Sequence, residues 1–430
     1  MIATLIAFGV LFALLFWGVP IGFAMGIVGA VGFGIFVGWE PTLAMVGQTI
    51  VDNVFNYGFS LLPLFVLMGN LVTNAKLSEE LYAAAYAVFG HRRGGLALST
   101  ILACGGFSAV CGSSMATAAT MAKVAMPSMR RYGYGDGLAT ASIAAGGTLG
   151  ILIPPSIILV IYGFMTDTDI GKLFVAGILP GAIGLAFYLA AVVFTVRLSP
   201  GSAPPGARLS AREKFAALRG VSGVLFLFAL IMIGIYGGIF TPAEAAGIGA
   251  TGAFVIALAR GTLTPRRLAQ SFVETARISS MMFVVLFGAL IFSNFVNIAG
   301  VPAALAEAMS DMRVAPIAVI LVICAIYLLL GCLLESLSMI LLTIPIFYPI
   351  VKSLGFDLIW FGIVVVVVVE ISLITPPIGM NVFVLKAIVP DVSASVIFRG
   401  LTPFIVADVL RLALFIFVPS IVLFLPSFMR

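Results

Sequence analysis

Apolar residues run along this chain in stretches too long for one straight helix to cross a membrane and too many to fit a soluble core. They cover roughly residues 2–37, 42–75, 94–129, 136–165, 173–196, 219–239, 243–259, 278–300, 315–351, 357–390 and 399–428. A bilayer core about 30 Å thick takes roughly 20 helical residues, whereas an unbroken helix of about 36 residues would reach about 54 Å. The stretches must therefore tilt strongly, break, or fold back on themselves. Charged residues make up 9% of the 430 and hydrophobic residues 62%, against about 25% charged in a soluble protein. The surface must be solvated mostly by lipid, and the sequence predicts an all-α polytopic membrane protein. With 46 Gly and 22 Pro, the helices are not expected to be uninterrupted, because both residues disturb helix interiors.

The break points are visible. Cys104-Gly105-Gly106-Phe107-Ser108 and Gly112-Ser113-Ser114 interrupt one stretch, and Gly150 through Pro154-Pro155 interrupt another. In the second half Gly331 through Ser338 and Thr375-Pro376-Pro377 do the same. The first Lys or Arg is Lys76, so the N-terminal apolar run lacks the charged start of a secretory signal. Residues 1–18 are expected to stay as a membrane segment. A polar connector between Arg197 and Arg219 carries Arg208, Arg212 and Lys214 against one acid, Glu213. The excess of positive residues places it in the cytoplasm, with Arg260, Arg266 and Arg267 on the same side. The parity of the crossings leaves His91-Arg92-Arg93 and both termini open. The net charge of +5 is scattered beside apolar segments, which gives no expectation of a nucleic-acid partner.

Landmarks on either side of the connector recur in order about 220 residues apart. Ser60 through Gly69 resembles Ser279 through Gly288, and Ser114-Met115 resembles Ser338-Met339. Gly133 and Asp136 recur as Gly355 and Asp357, and Pro154-Pro155 as Pro376-Pro377. The expected organisation is a first membrane repeat at 1–198, a cytoplasmic connector at 199–218 and a second membrane repeat at 219–430. Matching Gly/Pro-broken helices in two halves are the sequence pointer to a secondary transporter with its site at mid-membrane.

Backbone freed from helical hydrogen bonding inside a membrane must find another partner. Carbonyls released at Gly150 to Pro155 and at Ser372 to Met380 suit a hard cation such as sodium. The helix N-termini beyond each break offer N–H groups and positive dipole ends to an anion. On this argument Ser113, Ser114 and Asn381 are the candidate substrate contacts. Ionisable residues in apolar stretches invite attention: Glu335, Glu370, Asp52, Lys123, Lys386 and Asp408. Each has a structural pair or an interfacial position as the equal alternative. Asn70, Asn294 and Asn297 are polar amides that either line a site or bond backbone.

Enzyme and metal motifs fail. Cys104, Cys111, Cys324 and Cys332 form no C-x-x-C pair, and the single histidine, His91, sits in a basic cluster, so no metal or redox site and no Ser-His hydrolase is expected. Gly133-Tyr134-Gly135-Asp136 resembles the G-x-G-D of intramembrane aspartyl proteases, but the chain has no Tyr-Asp partner motif. A turn at a helix end explains it better. No organic cofactor is expected.

Three patterns, Gly150-Ile-Leu-Ile-Pro-Pro-Ser156, Gly112-Ser-Ser-Met-Ala-Thr117 and Ile374-Thr-Pro-Pro-Ile-Gly-Met-Asn381, together with length and central basic connector, resemble the large membrane subunit of tripartite ATP-independent periplasmic (TRAP) transporters over essentially the whole chain. The resemblance implies inverted repeats with two re-entrant helical hairpins, discontinuous transmembrane helices and an elevator-type, sodium-coupled mechanism in the bacterial inner membrane. It implies a small membrane subunit and a periplasmic substrate-binding protein as partners, and a small organic anion such as a C4-dicarboxylate or sialic acid as substrate. It also implies a first sodium site at Ser60, Ser108, Gly150, Ile153 and Pro155, and a second at Gly331, Ser372, Thr375 and Ile378. The family pattern has glycine where this chain has Ser372. The alternatives are a stand-alone sodium- or proton-coupled carrier of the same superfamily and a passive channel.

Overall fold

The computed structural model describes residues 2–311 and 315–429, and among these every regular element is helical. The first half opens with α1 (Ile2–Phe16), α2 (Ile21–Val37) and α3 (Trp39–Val54). A short turn at Tyr57–Ser60 then leads into α4 (Leu61–Asn74) and α5 (Leu77–Phe89). Next come α6 (Gly95–Cys111), α7 (Ser114–Arg131), α8 (Asp136–Thr148), α9 (Ile157–Thr166) and α10 (Ile170–Leu198). The connector contains α11 (Ala211–Gly220). The second half holds α12 (Ser222–Tyr236), α13 (Pro242–Ala259), α14 (Pro265–Ile298) and α15 (Val301–Asp311). It continues with α16 (Pro316–Leu330), α17 (Ser336–Ser353), α18 (Leu358–Ser372), α19 (Met380–Ile388), α20 (Ala394–Phe417) and α21 (Pro419–Leu423). Six described helices are long and apolar enough to cross a membrane, and a seventh span results if α11 and α12, bent by 41°, are taken together.

The series α4 to α10 is matched, element for element, by α14 to α20. Hydrogen bonds fix the relative direction of the two series. The start of α8 is tied to the connector, Gly135 N donating to Ser202 O at 2.9 Å. The end of α9 reaches the start of α18, the Tyr162 hydroxyl donating to Leu358 O at 2.6 Å. Beyond α19 the chain returns to the connector's face, where Asp391 pairs with Arg130. The path α8–α9 thus leaves the basic face and α18–α19 comes back to it, so corresponding helices of the two halves run in opposite directions. Each path is needed whole: the 13 residues of α8 rise about 20 Å, short of a bilayer core about 30 Å thick.

The apolar stretch at 94–129 resolves into two helices. Gly112 at φ 65° closes α6 in a left-handed conformation, which glycine takes without a steric cost, and Ser113 caps α7 by accepting from Ala116 N. Both open ends of this hairpin lie at the basic face, since Gly94 N donates to Ala203 O at 3.1 Å and Arg130 pairs with Asp391. Its tip is therefore inside the molecule. In the second half α16 and α17 form the matching hairpin, its legs tied by the Thr343 hydroxyl donating to the Tyr327 hydroxyl at 2.6 Å. The halves also exchange partners: α9 packs on α17, α19 on α7, α2 on α14 and α13 on α4.

Candidate functional site

Each hairpin tip abuts the break that follows it in sequence. In the first half a Cβ on Gly112 would lie 3.0 Å from Pro155 O, and one on Gly150 2.8 Å from Ser113 O and 3.0 Å from Thr117 Oγ1. The chain at Pro154-Pro155 has no N–H to give. The bonds recorded within this break go to the Leu149 and Ile151 carbonyls, which leaves the Ile153 and Pro155 carbonyls without a backbone donor. Two fully buried hydroxyls within a turn of the tip, Ser108 Oγ and Thr117 Oγ1, have no hydrogen-bond partner. Buried hydroxyls are seldom left so. The result is a set of neutral oxygens suited to a hard cation.

The second break repeats this with one difference. Gly331, at the tip of α16, lies so close to α18 that a Cβ there would be 2.1 Å from Ser372 Oγ. The Ser372 and Thr375 hydroxyls donate to Val369 O and Ile371 O at 2.7 and 2.6 Å, so their lone pairs remain available as acceptors. The Thr375 and Ile378 carbonyls have no backbone donor. Pro154 and Pro155 are buried, whereas Pro376 and Pro377 are exposed and Thr375 and Ile378 half-buried. One break is shut inside the protein and the other opens at its surface.

Ser60 is not brought to either cluster. Its hydroxyl donates to Tyr57 O at 2.6 Å, and the neighbouring Phe59 stacks on Phe164 near the end of α9 at 4.1 Å. The residue of α4 that does meet the hairpin tip is Gly69, whose Cβ would be 3.3 Å from Cys111 O. Ser60 is nine residues earlier, about 14 Å along the helix.

Between the two breaks the N-termini of α7 and α19 converge. Asn381 Nδ2 donates to Ser114 Oγ at 2.8 Å and to Ala144 O at 3.0 Å, while Ser114 Oγ lies 3.0 Å from Asn381 Oδ1. Both residues are buried, and Ser113 stays half-buried beside them. Two positive dipole ends aimed at one place form a ready site for an anion.

Other candidates are occupied elsewhere. Asp136 sits at the start of α8, 3.5 Å from Arg130 Nε, which is the turn expected there. Asn70 donates to Thr275 Oγ1 at 3.0 Å, and Lys386 caps the carbonyls of Pro390 and Val392. Asp52 and Lys123 are exposed. Glu335 accepts from Ser338 Oγ at 3.3 Å at the start of α17. No cluster of metal-ligating side chains occurs among the described residues.

Sequence reasoning missed Arg411 and Thr117. Arg411 is fully buried, paired with Glu370 and, at 2.9 Å, with Asp408. Tyr188 donates to Asp408 Oδ2 at 2.9 Å and lies 2.9 Å from Thr148 Oγ1. A polar chain thus runs from the last residue of α8 to Glu370, a short way before Ser372. Its signals in the sequence were the acids Glu370 and Asp408 and, one turn after Asp408, Arg411 itself in the same apolar stretch.

A family model described as "Tripartite ATP-independent periplasmic transporter, DctM component" matches residues 8–421. The chain is 34% identical over 408 residues to the C4-dicarboxylate TRAP transporter large permease protein DctM of Pseudomonas aeruginosa, covering 94% of each. It is 32% identical to the sialic acid TRAP transporter large permease protein SiaM of Vibrio cholerae, covering 96% of each. The fold resembles the crystal structure of the Alcanivorax borkumensis YdaH transporter, with a TM-score of 0.66, 15% identity, and coverage of 88% of this chain and 89% of that one. These relatives are permeases, so the chain is a multi-pass transport protein of the bacterial inner membrane rather than an enzyme. It belongs to the DctM family, the large membrane components of tripartite ATP-independent periplasmic transporters.

Proposed function

We propose that the chain is the large subunit of a sodium-coupled importer of a small organic acid, working with a small membrane subunit and a periplasmic substrate-binding protein. The observation that carries the reading is the pair of breaks, each with carbonyls lacking a backbone donor at Ile153 and Pro155 or at Thr375 and Ile378, and each closed by a hairpin tip. Neutral oxygens freed from backbone bonding take sodium well, and an ion bound there stiffens the break that holds it. Ser108, Gly150, Ile153 and Pro155 would supply one site and Gly331, Ser372, Thr375 and Ile378 the other, with Ser60 joining the first only after α4 shifts along its axis. A substrate carboxylate would lie near Ser113, Ser114 and Asn381, where the α7 and α19 N-termini meet. Relatives named for C4-dicarboxylate and sialic acid support an organic acid as the cargo.

Opposite access of the two breaks to the surface supports an elevator, in which the hairpins and broken helices move as one body past a scaffold. The test is uptake into proteoliposomes holding this chain and its small subunit, with the binding protein outside. Accumulation driven by an inward sodium gradient and absent with potassium is expected. Uptake by this chain alone, without partners, would instead favour a stand-alone carrier, and flux that never saturates would favour a channel.

A further inference from the structure

The structure puts His91-Arg92-Arg93 on the same face as the connector, and in doing so assembles a cationic surface there. Gly206 N donates to Gly90 O at 2.8 Å, Gly94 N to Ala203 O at 3.1 Å and Ala207 N to the Tyr86 hydroxyl at 3.0 Å. These bonds strap the connector to the turn at Gly90–Gly94. Arg92, Arg93, Arg208, Arg212 and Arg219 are exposed there and Lys214 is half-buried. They are close enough that, after desolvation, the charges of Lys214, Arg208 and Arg92 hold the His91 imidazole below its usual range.

The acids cancel only part of this charge. Glu213, the one acid in the connector, is held by the Ser210 N–H and hydroxyl at 2.7 Å each. Glu80, which abuts Gly220, is paired with Arg260. On the same helix Phe215 and Leu218 are 71% and 47% exposed.

The depth of this surface follows from α12. Its 15 residues rise about 22 Å, short of a hydrocarbon core about 30 Å thick. Joined to α11 across a 41° bend it is long and apolar enough for a span, and this sets Phe215 and Leu218, among cationic side chains, toward the headgroup region. Cations around an aromatic and an aliphatic residue at that depth are the signature of an interfacial helix on an anionic leaflet.

We infer that α11 and the Gly90–Gly94 turn form a binding surface for anionic phospholipid headgroups, with Phe215 and Leu218 inserted at the acyl boundary. The surface gathers acidic lipid around the connector between the two membrane halves. Clustered cations at an anionic leaflet attract its headgroups, so acidic lipid should be enriched there several-fold.

The test uses the purified full chain with Phe215→Trp in phosphatidylcholine nanodiscs. These contain the same minor fraction of either brominated phosphatidylglycerol or brominated phosphatidylcholine. The fluorescence of Trp17, Trp39 and Trp360 is subtracted with the unsubstituted protein. The added tryptophan should be quenched several-fold more by the brominated acidic lipid. That advantage should vanish when Arg208, Arg212 and Lys214 are all changed to Gln, with the melting temperature unchanged. Equal quenching by both lipids would overturn the proposal. So would quenching by neither, which would leave the face to water or a soluble partner. The comparison of the two lipids stands whether or not the glutamine variant folds.

Discussion

Gly331 and Ser372 occupy space that only one of them can fill. A methyl group on Gly331 would sit 2.1 Å from Ser372 Oγ and 2.2 Å from its Cβ, well inside van der Waals contact. Gly331→Ala should therefore push the hairpin tip off α18 and abolish sodium-dependent transport. Adding Ser372→Gly should restore a measurable part of it, because the methyl group then occupies the vacated volume. Uptake by the two variants, normalised to folded protein, checks this, and no recovery in the double variant would mean that the contact is not what limits Gly331. The neighbouring Cys332 offers a test without mutation. It is half-buried, while Cys104, Cys111 and Cys324 are buried. In the folded protein a maleimide should modify Cys332 several-fold faster than the other three, and sodium should slow the reaction relative to potassium, read by peptide mass spectrometry.

At the scale of elements, the tie between α7 and α19 joins the two halves. Ser114 and Asn381 bond each other in a buried place, so removing Asn381 leaves Ser114 without its partner, while removing Ser114 leaves Asn381 only its bond to Ala144 O. Ser114→Ala and Asn381→Ala should each lower stability, and the double variant should lose less than their sum, with a coupling of about 1 kcal/mol, as for other interhelical hydrogen bonds in membranes. Additive losses in thermal unfolding would show that the pair acts separately. These elements were legible in the sequence to very different degrees. The breaks at Gly112, Pro154-Pro155 and Pro376-Pro377 could be read directly, because the chemistry of glycine and proline is local. The meeting of Asn381 with Ser114 could not, since it depends on α19 packing on the opposite half's hairpin. Thr117 was hidden for another reason. A threonine inside a helix ordinarily spends its hydroxyl on a carbonyl one turn back, as Thr100 does on Leu96, and nothing in the sequence marks the one that does not.

For the whole molecule, the buried charges of α18 and α20 are the largest element of the design that sequence reading left incomplete. Glu370 and Asp408 stand out as acids in apolar helices, and Arg411 lies one turn after Asp408, but the pairing with Glu370 and the link to Tyr188 could be identified only once α10, α18 and α20 were packed together. Removing one member of a buried ion pair leaves an uncompensated charge and costs about 3–5 kcal/mol. Arg411→Ala should therefore destabilise the protein by about that much, whereas Asp136→Asn, at the exposed start of α8, should change stability by about 1 kcal/mol or less. Comparable losses in chemical or thermal unfolding would mean that the buried cluster is not what holds these helices together. The two breaks lie at opposite ends of this polar chain, within the same body of helices, and ions bound at them would stabilise that body as a whole.

The central claim is that the freed carbonyls at the breaks bind sodium. The most direct measurement is the melting temperature of the purified protein in sodium against matched potassium and choline. Ligand at 100 times its dissociation constant stabilises a folded state by about 2.7 kcal/mol. A sodium-specific rise is predicted, and Thr375→Ala should reduce it more than Asp136→Ala does. Identical melting in all three salts, with the small subunit present as well as absent, would contradict the claim.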